Sequence, residues 1–542
     1  MTDHKAHLHH CGGGCCGHEV PQVPLLRSSD EGDGLSRRSF FVGLGTAALG
    51  AWALQSASAQ SPASPTASGG SVLSGKPLVV KPILTYGISK RRPQTSWRSW
   101  GGVMTQEDVA AESKRITDEL AGMAKAAEFG LKILPVSTVA NKNEAAAVRA
   151  EQFDVTLIFA SGAGGDVLET LASPDRPTII FVRHLSGPVY LWYEIAHPRF
   201  LRKTVDEYGQ PGVDAHDVVV DDYNGILWRL RALYGLKNLM GEKIVAIGNA
   251  GGWGAGGRKA PQLTREKWHM EIIPVSYDEL GKRIKSARAD GKLVARTQAE
   301  AREYLRQPRV KLETDTKIVG NPALLPKSVE NSFLLAQVMK DIMAEHQVHA
   351  MTVNQCMGTI MPISETTACL PLSLLNDEGY MAFCESDFVV IPSGVLLHHI
   401  SGLPVFLNDP TYPHDGIVTL AHCTAPRKMD GKYYERTRIM THFESDYGAA
   451  PKVEMRPGQT ITVIDPDFNG KRWLGFTGKT LKTPFMHICR AQVDVTIEGD
   501  MKRLLEEMVG FHWMMSYGDY RKEVGYALKK VGIEWVDVSK KG

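Results

Sequence analysis

This chain has no excess of charge of either sign. In 542 residues, 62 Lys and Arg stand against 60 Asp and Glu, a formal net charge of +2. Phosphate backbones are bound by surplus cations, so the balance argues against a dedicated nucleic-acid binder. Cysteine is scarce as well: eight residues cannot staple a chain of this length in the way disulfides staple small secreted domains. Long hydrophobic runs are also lacking. The apolar stretch Phe40–Leu54 is about 15 residues long, short of the ~20 that span a bilayer, and a multi-span membrane protein is excluded. What remains is ordinary globular material, 43% hydrophobic and 23% charged, with length for about three or four domains of ~150 residues.

The N-terminus reads as an address. Residues 36–41 are Ser-Arg-Arg-Ser-Phe-Phe, the Gly- and Ala-rich apolar stretch follows, and Ala57-Ser58-Ala59 supplies a small-residue cleavage pattern. Together these resemble a twin-arginine export signal, which implies a periplasmic mature protein that folds before export. A Cys/His tract precedes the signal (His4, His7, His9, His10, Cys11, Cys15, Cys16, His18). Such a tract can bind soft metals, but cleavage after Ala59 would remove it. Five cysteines then remain, Cys356, Cys369, Cys384, Cys423 and Cys489. None forms a C-x-x-C pair, so neither a zinc ribbon nor a thioredoxin-type centre is indicated, and mostly buried, unpaired thiols are expected.

After a Ser-, Pro-, Ala- and Gly-rich linker at 60–76, strands alternate with helices. The pattern predicts strands at Leu78–Tyr86, Leu131–Val136, Asp154–Ala160 and Pro177–Val182. It predicts a helix over Thr105–Glu128 with Val109, Ile116, Leu120 and Met123 on one face. A second unit repeats the rhythm: helix Asp221–Tyr234, strand Lys243–Ile247, helix Ser328–Glu345, strand His349–Val353. This is the β-α-β signature of parallel sheets covered by helices. The loop Gly248-Asn249-Ala250-Gly251-Gly252-Trp253-Gly254 follows a strand. It lacks the spacing of a dinucleotide or phosphate loop, so a tight turn is the simpler reading. Beyond residue 455 the chain is turn-rich and alternating, with strands at Thr460–Ile464 and Pro484–Ile497, as in a β-barrel or sandwich. A helix at Tyr520–Lys530 and a strand at Glu534–Val538 end it.

Polar residues crowd the apolar region 354–424. Carboxylates at the end of the apolar strand Tyr380–Cys384 carry most weight, because ligands of α/β sheets sit at strand ends. A buried carboxylate there is paired, caps a helix or holds a metal. Residues 369–387, ending Cys384-Glu385-Ser386-Asp387, resemble the C-E-x-D segment of the L-fucose isomerase and L-arabinose isomerase superfamily. In the same order follow Ser401-Gly402-Leu403-Pro404-Val405-Phe406 leading to Asn408-Asp409, then Thr441-His442-Phe443-Glu444-Ser445, Cys489-Arg490-Ala491-Gln492, and His512-Trp513-Met514-Met515-Ser516-Tyr517-Gly518-Asp519.

The resemblance implies an α/β protein with two Rossmann-like parallel-sheet domains (77–240 and 241–395) and a C-terminal β-rich, barrel-like domain (396–542). It implies aldose–ketose isomerisation through an enediolate, with Mn²⁺ or another divalent cation such as Mg²⁺ on two carboxylates and one histidine. Asp387 matches the aspartate of that set and His512 the histidine. Glu365 is assigned as the second carboxylate and base, with Glu378 and Glu385 as rivals, and Asp387 as a possible acid. His422 could orient a ligand. Trp97 and Arg98 are candidates for substrate binding, by analogy with an aromatic and an arginine that reach a neighbouring subunit's pocket. A homotrimer or homohexamer is implied, with a small carbohydrate as substrate. Two alternatives stay open: a periplasmic carbohydrate-binding protein without catalysis, and another metal-assisted carbohydrate reaction such as epimerisation or lyase chemistry.

Overall fold

The strand–helix alternation read from the sequence folds into parallel sheets. A computed structural model describes residues 75–190, 200–201 and 212–540, all within one compact unit, Ser64–Gly542. The twin-arginine leader and all but the last two residues of the linker at 60–76 lie outside the described residues. Among those described, no helix is long and apolar enough to cross a membrane.

The first sheet runs in the order Leu131–Ile133, Leu78–Thr85, Val155–Ala160, Thr178–Val182, Val218–Val220. A short strand, Ser137–Val139, also pairs with Leu78–Thr85, and every pairing is parallel. The strand Val155–Ala160 is buried along its whole length, as expected where helices cover both faces. The helix Gln106–Ala126 begins where Thr105 and Asp108 cap each other's backbone N–H groups, and it buries Val109, Ile116, Leu120 and Met123. Burying each such side chain contributes about 1.5–3 kcal/mol. The strand expected at Leu131–Val136 is split in two. Pro135 has no N–H to give the ladder, so pairing stops before it and resumes at Ser137.

The second sheet has the order Met381–Phe383, Ala350–Val353, Lys243–Ile247, Glu271–Val275, again all parallel. From Lys243–Ile247 the chain goes outward to Glu271–Val275 and then returns to the opposite flank at Ala350–Val353. The sheet order therefore reverses between Lys243–Ile247 and Ala350–Val353, and the loops leaving their C-terminal ends diverge there to leave a crevice. Those loops are 248–254 and 354–356, with 384–387 beside them.

The third sheet is antiparallel except at one edge. Its order is Ala491–Thr496, Ile417–His422, Phe406–Pro410, Trp513–Tyr517, Thr460–Pro466, Arg472–Lys479, Glu534–Asp537, the last pair being parallel. Bridges from Thr477 to Glu498 and from Thr480 to Val495 tie its distant strands together, so the sheet curls into a barrel-like form. The strand expected at Pro484–Ile497 shortens to Ala491–Thr496. A small sheet of Ala450–Glu454, Arg436–Met440 and Val310–Leu312 joins residues from either side of the boundary expected at 395/396. The helix Ile391–Ser401 is buried on every side. A Cβ at Gly394 would lie 2.7 Å from Met514 and 2.8 Å from Phe383, so glycine lets this helix press against both the parallel and the barrel-like sheet. The C-terminal end of the strand Met381–Phe383 is thereby held opposite the N-terminal end of Trp513–Tyr517.

Candidate metal centre

A cavity of about 740 Å³ opens between these two strand ends. The second sheet supplies the loop from Gly251 to Gly254, residues 354–358, and Cys384, Glu385 and Asp387. The barrel-like region supplies Asp409, His422, Cys423, His442, Cys489, Phe511 and His512. The loop after Met381–Phe383 turns sharply, because Glu385 and Ser386 both adopt the left-handed backbone conformation, with φ of 63° and 48°. Two consecutive non-glycine residues in that region cost of order 1–3 kcal/mol each. The conformation turns the Glu385 carboxylate to the cavity while its neighbour Ser386 is buried.

Asp387 and His512, far apart in sequence, meet here. His512 Nδ1 lies 2.7 Å from Asp387 Oδ2. Asp387 Oδ1 accepts the backbone N–H groups of Trp253 at 3.2 Å and Val389 at 3.0 Å. Both oxygens of Asp387 are thus occupied. With Nδ1–H donated to Asp387, Nε2 of His512 faces the cavity. That nitrogen stands 3.2 Å from Asp409 Oδ1 and 3.3 Å from Glu385 Oε2. The other oxygen of Glu385 is 3.6 Å from His422 Nε2.

None of His512 Nε2, His422 Nε2 and Asp409 Oδ1 has a hydrogen-bond partner, although all three are buried. Orphaned buried polar atoms cost about 1–3 kcal/mol each, so three converging ones call for an explanation. The donor atoms of Asp409, His422 and His512 lie within 4.8 Å of one another. Donors held ~2.1 Å from a small dication sit about 3 Å apart when adjacent and about 4.2 Å apart when opposite. The 3.2 Å between His512 Nε2 and Asp409 Oδ1 matches an adjacent pair, and a carboxylate–imidazole set with Glu385 beside it could hold a divalent ion.

The electrostatics agree. Burial pushes the Glu385 carboxyl up, but the neighbouring His422 and His512 outweigh it and hold the group well below the usual carboxylate range. Burial alone would lower both imidazoles. Glu385 and Asp409 instead raise His422 to about 10, while Asp387 and Glu385 raise His512 to about 9. Burial raises Asp409. With no cation present, protons on the two imidazoles occupy the place of positive charge that a metal would fill.

The other predicted residues fall elsewhere. Glu365 is the C-cap of the short helix Met361–Ser364, and its carboxylate pairs with Arg288 at 2.9 Å. It lines a separate cavity with Arg288 and Asn331, and the structure does not bring it to Asp387 and His512. Glu378 pairs with Lys340 at 3.1 Å. Of the three carboxylates weighed for this position, Glu385 is the one at the cavity. Trp97 and Arg98 lie outside it, on a mostly exposed loop, with the guanidinium 5.1 Å above the indole ring. Asp409 and His422 were not assigned as ligands from sequence, although both stand in polar segments that could have drawn attention. The glycine-rich loop carries more than a turn. Gly251 bridges to Asp387, and Trp253 stacks on Phe511 with centroids 3.7 Å apart and planes within 7°. Phe511 in turn meets the His512 ring edge-on at 4.8 Å.

The five cysteines are free, four of them buried, as the lack of C-x-x-C pairs suggested. In comparisons with known proteins, no family model and no curated protein matches this chain.

Proposed function

We propose that this chain is a metal-dependent sugar isomerase-like enzyme of the L-fucose/L-arabinose isomerase type, acting on a small carbohydrate in the periplasm. The observation that carries the reading is the convergence of Glu385, Asp409, His422 and His512, with three orphaned donor atoms, on one side of a cavity of about 740 Å³. A hard divalent ion, Mn²⁺ or Mg²⁺, suits such oxygen and imidazole donors better than thiolate-rich sites would. When bound, it would polarise the carbonyl of an aldose or ketose and spread the charge of the enediolate.

The chain's own residues divide the remaining work. Asp387 fixes the tautomer and the plane of His512. Glu385 and Asp409 are the two carboxylates that face His512 Nε2 in the cavity, at 3.3 and 3.2 Å. In this reading Glu385 takes the proton from the carbon next to the carbonyl and Asp409 returns one. These roles replace those assigned from sequence to Glu365 and Asp387. The stacked Trp253 and Phe511 present an apolar face at the rim, against which the C–H face of a sugar can lie. Trp97 and Arg98 keep their proposed role only across a subunit contact in a homo-oligomer.

The test is aldose–ketose conversion across a panel of pentoses and deoxyhexoses, with Mn²⁺, with Mg²⁺ and after chelation. Conversion of at least one sugar that is lost on chelation and in Glu385→Gln supports the proposal. Conversion of none, by protein that binds the metal, would sink it.

A further inference from the structure

Beside the carboxylate–imidazole set, and partly lining the same cavity, lies a second cluster of different chemistry. Cys369 opens the helix Cys369–Asp377, Cys423 follows the strand Ile417–His422, and His442 follows the strand Arg436–Met440. The two thiol sulfurs are 3.1 Å apart. One donor atom from each of the three residues lies within 4.8 Å of the other two. All three residues are more than nine-tenths buried, and Nδ1 of His442 has no hydrogen-bond partner. Cys489 lines the cavity together with Cys423 and His442.

We propose that Cys369, Cys423 and His442 form a second metal site, for a thiophilic cation such as Zn²⁺, with Cys489, which lines the same cavity as Cys423 and His442, taking the fourth tetrahedral position. With Cys489 the donors are three thiolates and one imidazole, a donor set of structural zinc sites, and they differ in kind from the neighbouring carboxylate–imidazole set. Binding forms three metal–sulfur bonds and one metal–nitrogen bond, and it releases the three thiol protons to solvent. The rival outcome is a disulfide. A disulfide needs the sulfurs to close by about 1 Å, to ~2.05 Å. Two thiolates at ~2.3 Å from a tetrahedral zinc stand ~3.75 Å apart, so the pair must open by roughly 0.6 Å. His442 distinguishes the two, because a cation in the cluster takes one of its ring nitrogens as a ligand and a disulfide does not. The site would clip the helix that leads to the Cys384–Asp387 loop onto two barrel-side strands. Because Cys423 follows His422 directly, it would also fix that imidazole.

The test is Co²⁺ titration of the chelator-stripped full chain under anaerobic conditions, followed by the sulfur-to-cobalt charge-transfer absorption. The leader contains Cys11, Cys15 and Cys16, so the readout is the difference between wild-type and variant chains. Cys369→Ser and His442→Gln should each remove one equivalent of the cobalt signal, with Cys369→Ser also removing thiolate intensity. Glu385→Gln should retain it. His442→Gln keeps both thiols, and circular dichroism establishes that each variant is folded before it is scored. An unchanged titration in folded His442→Gln overturns the proposal. So does a Cys369–Cys423 disulfide found by peptide mapping of protein prepared without reductant.

Discussion

Replacing Asp387 by Asn separates a metal ligand from a residue that positions one. In the native site, Oδ1 accepts two backbone N–H groups and Oδ2 faces His512 Nδ1 at 2.7 Å. An Asn side chain has one acceptor and one NH₂ group, so it cannot satisfy both sides. If its oxygen stays on the N–H groups of Trp253 and Val389, its NH₂ meets His512 Nδ1. The imidazole must then carry its proton on Nε2, the nitrogen whose lone pair the metal requires. If the amide flips, its NH₂ confronts two backbone donors. Either arrangement loses a charge-assisted hydrogen bond worth about 1.5–3 kcal/mol, the range found when the partner behind a ligating histidine is removed. Mn²⁺ affinity, measured by calorimetric titration of chelator-stripped protein, should fall about 10- to 100-fold in folded Asp387→Asn. Glu385→Gln, which removes a donor itself, should cost more. Equal losses in the two variants would mean that Asp387 is a ligand, and an unchanged affinity would mean that His512 does not need it; either result refutes the reasoning.

Glu365→Gln should leave metal affinity and turnover unchanged, because Glu365 pairs with Arg288 away from the cavity. Its thermal stability should change by less than about 1 kcal/mol, as expected for a half-exposed pair, and a tenfold loss of activity would contradict this placement. Trp253→Ala removes the stack on Phe511, a contact worth about 0.5–1.5 kcal/mol. KM for a converted sugar should rise about 2- to 10-fold with metal affinity unchanged, and parallel losses in both would place Trp253 in the metal set instead. Asp465 accepts the N–H groups of Val509 and Gly510 and so anchors the loop that bears Phe511 and His512. Burial pushes its carboxyl up to about 8 from an ordinary value of 3.8. Between those values the folded state holds the proton more tightly than the unfolded chain. This contribution to stability is therefore full below about pH 4 and lost as pH rises through 8. Asp465→Asn should flatten that decline in chemical denaturation, and curves that remain parallel from pH 4 to 8 would exclude the carboxyl as its source.

Much of the fold was legible because local chemistry and long-range pairing agree. The strand Lys243–Ile247 is continuous apolar sequence between a helix end and a glycine-rich loop, and it forms where the pattern put it. The capped amphipathic helix at Gln106–Ala126 likewise carries its own start signal and buried face. Legibility fails where a single residue or a partner decides. Pro135 divides one expected strand, and the segment ahead of Ala491 carries β-forming residues that find no neighbour. The pairing of Val310–Leu312 with Arg436–Met440 depends on a partner more than a hundred positions away, which no local period reveals.

The site was legible in part for a related reason. That Asp387 and His512 belong together could be read from the ordered motifs, but their division of labour could not, because it depends on where two backbone N–H groups point. Choosing among Glu365, Glu378 and Glu385 was a question of tertiary position. Residue type and spacing treat the three alike, and Glu365 even shares the left-handed backbone of Glu385, but only Glu385 lies just past the strand Met381–Phe383 whose end opens on the crevice. Asp409 and His422 come from adjacent antiparallel strands of the barrel-like sheet, but the register sets Asp409 opposite Ala421, so strict alternation would send His422 to the other face. They meet where the strand Ile417–His422 ends, which no residue pattern shows. A variant that weakens the sheet without touching any ligand should lose metal in proportion to its lost stability, whereas Asp387→Asn should lose metal while remaining folded.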